Sequence, residues 1–205
     1  MYEDALSHLK NADPVLRKII LQIGDCKLQP TKNHFAALME SIVSQQLSVK
    51  ASATIFRRFL ELYPGKRYPK PADVIATSDA RLRAVGLSRQ KFSYLKDLAK
   101  KFESGVLKTR RFSRIADEQI IEALTQVKGI GRWTAEMFLI FSLNRLDVLP
   151  VDDLGFRKAV KIQYGLRNLP TAEKLRKIAR PWHPYCSIAT WYMWASLDSM
   201  PAQLK

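Results

Sequence analysis

The residues best suited to chemistry lie close together between positions 124 and 157. Two adjacent carboxylates, Asp152 and Asp153, follow Pro150 at the start of a predicted helix. An Asp at a helix N-cap accepts from orphan backbone N–H groups, and acids suit the positive end of the helix dipole. One carboxylate suffices for that role, so the second is surplus. An ionised carboxylate held there could stabilise positive charge developing on a sugar during bond cleavage. Upstream, the run Val127-Lys128-Gly129-Ile130-Gly131-Arg132-Trp133-Thr134 ends one helix, turns on two glycines and opens another near Arg132. Glycines allow positive φ and close backbone approach. Exposed N–H groups at a tight turn and helix start form an anion site. A phosphodiester fits it, directly or through a monovalent cation on the backbone of Val127 and Gly129. Such a contact sets register without reading sequence. An ordinary connection between two helices is the plain alternative.

The charge balance favours the anion reading. The chain of 205 residues carries 34 Lys and Arg against 19 Asp and Glu, a formal charge of +15. Residues 88–111 hold eight bases and two acids, and residues 157–180 hold eight bases and one acid, so most of the excess sits in two segments. A folded domain so charged repels itself, and nucleic acid is the first partner to consider. With 47% hydrophobic residues the chain is no disordered basic tail. No apolar run reaches the roughly 18 residues of a membrane span, and the Met1-Tyr2-Glu3-Asp4 start lacks the bases of a signal peptide. Two cysteines, Cys26 and Cys186, are too few for a disulfide framework or a four-Cys zinc site, and His8, His34 and His183 are scattered. The expectation is a cytoplasmic protein, nucleoid-associated, in a prokaryote, or a nuclear one in a eukaryote, not secreted, without a membrane partner or a catalytic metal.

Helices must position these residues. Apolar residues recur at spacings of three and four over 35–43 and 53–62. A Pro-rich break covers 63–72. Ser78-Asp79 caps a short helix that Gly86 ends, and 88–103 is a basic amphipathic helix with Phe92, Leu95, Leu98 and Phe102 as its stripe. Further helices follow at 117–126, 133–144, from Asp152 or Asp153 to about Tyr164, 171–180 and 184–197. The stretch 133–144 is apolar nearly all round and is expected to be central and buried. Tyr185 and Trp191 are assigned to the core. No segment alternates as a strand, so the predicted class is all-α.

One motif set carries a specific resemblance. A hairpin reading V-K-G-I-G-R-W-T-A, an apolar helix and then L-P-V-D-D-L-G resemble the helix-hairpin-helix/Gly-Pro-Asp superfamily of DNA glycosylases. The branch most similar is 3-methyladenine DNA glycosylase II, in a compact all-helical form. Ser41-Ile42-Val43-Ser44-Gln45-Gln46-Leu47-Ser48, Val85-Gly86-Leu87-Ser88-Arg89-Gln90-Lys91 and Trp182-His183-Pro184-Tyr185 with Trp191-Tyr192-Met193-Trp194 agree with it. The resemblance covers about residues 30–198 and leaves 1–30 without a diagnostic motif. It implies two helical lobes with a cleft between them, a central lobe of about 38–147 and a second from about 1–37 with 148–205.

The resemblance also implies roles. An ungapped alignment through G-I-G-R-W-T-A places the essential carboxylate on Asp153, with Asp152 then capping or supporting. An alignment on P-V-D, after the oxidised-base branch, selects Asp152. Trp133 stands where some relatives carry the lysine that forms a Schiff base, so strand cleavage is not expected. Trp133 and Trp194 become opposite walls of a base pocket, with Met137 one turn beyond Trp133; His34 and Phe35 are further candidates. Gln46, then Leu47, fall where the family inserts a wedge into the duplex. Lys128, Gly129, Ile130, Gly131, Arg132 and Thr134 become contacts to the DNA backbone. The implied activity is that of a monofunctional glycosylase acting as a monomer on double-stranded DNA with alkylated purines. It would need no cofactor beyond a possible structural sodium or potassium ion at the hairpin. A non-catalytic DNA-binding module and a glycosylase for other damaged or mismatched bases are the competing readings.

Overall fold

The computed structural model describes residues 2–198, and among these every regular element is helical. The order is α1 (Glu3–Ala12), α2 (Pro14–Ile23), α3 (His34–Ser44), α4 (Val49–Glu61), α5 (Pro71–Ala76), α6 (Asp79–Ala84) and α7 (Arg89–Glu103). A 3-10 turn at Thr109–Arg114 leads to α8 (Asp117–Thr125), α9 (Arg132–Phe141), α10 (Leu154–Gln163) and α11 (Ala172–Ala179). A second 3-10 turn, Arg180–Trp182, precedes α12 (Cys186–Asp198). None of these helices is long and apolar enough to cross a membrane.

The chain forms two compact units, one of residues 31–138 and one joining the segment up to Pro30 with that from Leu139 onward. The expected boundaries at 37/38 and 147/148 therefore shift toward the N-terminus. The first falls just before α3, whose N-cap is Asn33. The second falls inside α9, because helix continuity does not require one unit to own the whole element.

In the unit of residues 31–138, α7 packs against α3, α5 and α6. Its predicted stripe is confirmed: Phe92, Leu95 and Leu98 are buried, and the Phe102 ring meets Phe35 edge-on at 5.0 Å. Ser48, Ser78 and Ser88 cap α4, α6 and α7 through their side-chain oxygens. Within the Pro-rich break the structure starts a helix that the loop reading missed. Pro71 opens α5 at its first position, where a missing N–H costs nothing.

The other unit is built on α2, α10 and α12, with α1 against α2. The undiagnostic N-terminal segment proves to be two helices, and the Asp13-Pro14 pair is the signal that marks the second start. Asp13 is 5% exposed. Its Oδ1 accepts from the amides of Val15 and Leu16, and its Oδ2 accepts from Tyr164 Oη at 2.5 Å and Trp182 Nε1 at 2.9 Å. One carboxylate thus caps α2 and satisfies a buried indole and a half-buried hydroxyl. Burial and the adjacent carboxylate push the Tyr164 hydroxyl well above its ordinary range.

Two expectations need correction. Helix α9 ends at Phe141 rather than 144, where Asn144 adopts a positive φ of 53°, and it is not buried all round. Trp133 and Phe141, near its two ends, are 47% and 42% exposed. Tyr185 and Trp191 are half-buried rather than core residues. Tyr185 lies edge-on to His8 and Trp191 edge-on to Tyr192.

Asp13→Ala is expected to destabilise the protein by about 3 kcal/mol, since it removes a cap and strands the buried Trp182 donor and the half-buried Tyr164 hydroxyl. Urea denaturation of the two proteins measures the difference.

Candidate active site and nucleic-acid interface

The acidic pair is resolved by a turn. Asp153 N–H donates to Pro150 O at 3.0 Å, and Asp153 itself, not Asp152, is the N-cap of α10. Its Oδ1 accepts from the Phe156 amide at 2.6 Å and from Trp194 Nε1 at 2.9 Å. Of the capping or supporting role expected of Asp152, the capping part therefore falls to Asp153. Asp152 is exposed and makes no hydrogen bond among the described residues. Both bonds fall on the one carboxylate oxygen, which fixes the side chain against the first turn of α10 and the indole. Gly155 belongs to the same site. A Cβ there would stand 3.2 Å from Asp153 Oδ1 and 3.5 Å from Trp194 Nε1, so glycine keeps the indole's approach open.

Trp194 is therefore tied to the carboxylate, which its assignment as a pocket wall did not foresee. Its indole also stacks on Phe141, with ring centroids 5.6 Å apart and an interplanar angle of 21°. Phe141 escaped the sequence reading because an aromatic residue in an apolar helix gives no local sign of its exposure.

The hairpin in residues 31–138 is locked from three sides. Ile130 N–H donates to Val127 O, Lys128 N–H donates to Asp97 Oδ2 at 2.8 Å, and Gly129 O accepts from Gln45 Nε2 at 2.7 Å. The two carbonyls named for a cation thus already accept protein hydrogen bonds, each with a second lone pair remaining. Gly129 has φ +84°, and a Cβ there would meet Tyr94 Cδ2 at 2.1 Å. Gly131 has neither constraint. The Gly129 and Gly131 amides have no hydrogen-bond partner among the described residues, so they are the hairpin donors open to an anion. Burial raises the Asp97 carboxyl, but the Lys101 ammonium and the Lys128 amide outweigh it and hold it below its usual range.

The remaining predicted backbone contacts divide. Lys128 is exposed, whereas Arg132 pairs with Glu118 at 3.0 and 2.5 Å and lies 3.7 Å from Glu136. Ile130 and Thr134 are buried, so their side chains face the protein, and only their backbone remains for a phosphate. The basic segments are also partly paired, through Lys96–Asp79, Lys101–Asp97 and Lys177–Glu173.

A cavity of about 750 Å³ brings together Gln46, Leu47, Gly129, Trp133, Thr134 and Met137, all predicted site residues. Its rim includes the turn between α3 and α4. Gln46 is exposed at φ +58°, a left-handed conformation that costs a side-chain-bearing residue about 1 kcal/mol or more. Three bonds hold this turn. Leu47 N–H donates to Ser44 O, Lys91 Nζ donates to Val43 O at 2.7 Å, and Gln45 reaches the hairpin. Nothing local in the sequence marks Gln45 or Lys91 for these roles, because their partners lie 84 and 48 residues away. His34 lies edge-on to Phe138 at 5.4 Å, and burial lowers its pKa. Phe35 is a core residue.

Helical architecture, a glycine hairpin and a capped, indole-bound Asp define a helix-hairpin-helix protein with a carboxylate site. The profile of the HhH-GPD superfamily base excision DNA repair proteins matches residues 39–184, and the chain belongs to that family. It is 36% identical over 91% of its length to DNA-3-methyladenine glycosylase 1 of Schizosaccharomyces pombe, covering 84% of that protein. It is 30% identical over 94% of its length to an alkylbase DNA glycosidase-like protein of the same yeast, covering 92% of it. Among solved structures, the S. pombe 3-methyladenine DNA glycosylase in complex with abasic DNA superposes with a TM-score of 0.86 at 34% identity, covering 95% of this chain and 97% of that one. A DNA-3-methyladenine glycosidase from Bacillus halodurans gives 0.84 at 37% identity, covering 94% and 88%.

Gly129→Ala is expected to destabilise the protein by about 3 kcal/mol, through the strained φ and the clash with Tyr94. Gly131→Ala is expected to stay within about 0.5 kcal/mol of wild type. Thermal unfolding of the pair checks the contrast.

Proposed function

We propose that this chain is a monofunctional DNA glycosylase, acting as a monomer, that releases alkylated, cationic purines such as 3-methyladenine and 7-methylguanine from duplex DNA. It leaves an abasic site for base excision repair. The observation that carries the reading is the Asp153 carboxylate, fixed by the Phe156 amide and the Trp194 indole within a chain of net charge +15.

The proposed mechanism uses the groups already described. The Gly129 and Gly131 amides and exposed Lys128 hold the DNA backbone without reading sequence. Gln46, presented at the apex of a braced turn, enters the duplex as the target nucleotide leaves the stack, with Leu47 beside it. Trp133 offers an exposed indole face, which attracts a cationic base by about 0.5–2 kcal/mol. Such a base is already a good leaving group, so no strong general acid is required. Cleavage of the C1′–N bond leaves positive charge on the sugar, and Asp153 stabilises that charge and orients the attacking water. With Trp133 following Arg132 after the hairpin glycines, no lysine amine stands there to form a Schiff base.

Base release from methylated duplex DNA tests the assignment. Asn is a good N-cap, so Asp153→Asn removes the charge while preserving α10. It is expected to lower the single-turnover rate by about 100- to 1,000-fold, with an unchanged unfolding midpoint. Asp152→Asn is expected to behave like wild type. Trp194→Phe keeps an aromatic ring but loses the donor to Asp153, and is expected to lose about tenfold. Loss of release in Asp152→Asn alone would transfer the role to Asp152. Background release from wild type would leave a DNA-binding module, and a borohydride-trapped adduct would contradict the monofunctional mechanism.

A further inference from the structure

The sequence placed the histidines apart and gave the two cysteines no metal role. Folding changes that for three residues of the unit that contains α12. Asp147, His183 and Cys186 each offer one ligand atom, and these atoms lie within 4.8 Å of one another. We propose that Asp147, His183 and Cys186 form a binding site for one zinc-class divalent metal ion, clamping the loop before Asp153 to the start of α12.

The donor set fits that class of metal. Thiolate, imidazole and carboxylate are all zinc ligands, and their mixture is poorly suited to calcium or magnesium, which take oxygen ligands. The spacing fits as well. His183 Nδ1 and Cys186 Sγ are 3.6 Å apart. Tetrahedral zinc, with Zn–S of about 2.3 Å and Zn–N of about 2.0–2.1 Å, separates these two atoms by about 3.6 Å. Asp147 Oδ2 lies 2.8 Å from His183 Nδ1, a hydrogen-bond distance. A metal replaces the shared proton and widens this edge to about 3.4 Å, a carboxylate shift of about half an ångström. The thiol proton leaves to solvent, and the neutral imidazole keeps its proton on Nε2. His183 and Asp147 are 53% and 38% exposed in their side chains, so water can reach a fourth position, while Cys186 is buried.

The backbone around these ligands is already pinned. Ser187 N–H donates to Leu146 O at 2.9 Å, and Val148 N–H donates to Ser187 Oγ at 2.9 Å. These bonds bracket Asp147 on both sides. Cys186 N–H donates to Asp147 Oδ1 at 3.2 Å, which leaves Oδ2 for His183 and the metal. Little ordering remains for the ion to impose, so its binding energy appears largely as affinity. The clamp bears on the candidate catalytic residue through covalent continuity. Asp147 opens the segment that reaches Asp153, and Cys186 opens the helix whose Trp194 binds it.

Cobalt(II) titration of the chelator-treated full chain tests the site, with zinc as competitor. Wild type and Cys26→Ser are expected to bind one equivalent with thiolate-to-cobalt charge-transfer absorption and visible bands of tetrahedral intensity, both abolished by zinc. Cys186→Ser is expected to lose the charge-transfer band. His183→Ala, a change at an exposed side chain, is expected to bind at least tenfold more weakly and to lose the zinc-dependent rise in unfolding midpoint seen in wild type. Absence of the charge-transfer band in folded wild type, its retention in Cys186→Ser, or unchanged affinity in His183→Ala would overturn the proposal.

Discussion

A carboxylate that acts through its position must be held by fixed donors, and Asp153 obtains two of them on a single oxygen. The Phe156 amide ties it to the first turn of α10, and the Trp194 indole ties it to α12. Much of its unit follows from this requirement. The turn from Pro150 to Asp153 sets the chain entering α10, Gly155 leaves room for the indole, and Phe141 supports the indole face. Capping and catalysis are commonly treated as alternatives for an Asp at a helix start. Here the cap immobilises the group that the proposed chemistry uses, so the reaction faces little reorganisation of the carboxylate.

A second set of constraints governs residues 31–138. The hairpin and the α3–α4 turn are tied by Gln45, while Asp97 and Lys91 brace each in turn from α7. Gln46 holds a left-handed backbone conformation at the exposed apex of that turn. Local strain of this kind persists where neighbouring bonds over-determine the geometry, and three hydrogen bonds to adjacent residues do so here. The side chain proposed to enter DNA is therefore presented from a fixed support. The close approach of Tyr94 to Gly129 explains why the first hairpin glycine is constrained and the second is not.

The charge distribution acquires a different meaning in three dimensions. Several bases in the two basic segments, and Arg132 in the hairpin, are held by acids. Exposed pairs of this sort contribute little to stability, with a median of about 0–1 kcal/mol. Their effect is on the number of cations left for a polyanion, which is smaller than composition implies. Backbone amides at Gly129 and Gly131 remain, and these carry no side chain that an acid could neutralise.

Local information was enough for most of the helices from α3 onward, for several serine caps and for the hairpin turn. Apolar spacing marked α7, Ser and Asp marked helix starts, and two glycines marked the tight turn, because each depends on neighbours within about one helical turn. The motif set placed the chain in its family and narrowed the carboxylate to two adjacent residues. Distance in sequence hid the rest. That Asp153 rather than Asp152 caps α10 depends on a turn and on an indole 41 residues away, and the Gln45 contact to Gly129 spans 84 residues. His183 and Cys186 meet Asp147 only because α12 packs beside the loop that carries it. Sequence pattern specifies which residues share a face of one helix. Which faces meet is decided by packing, and only that packing assigns each polar group its partner.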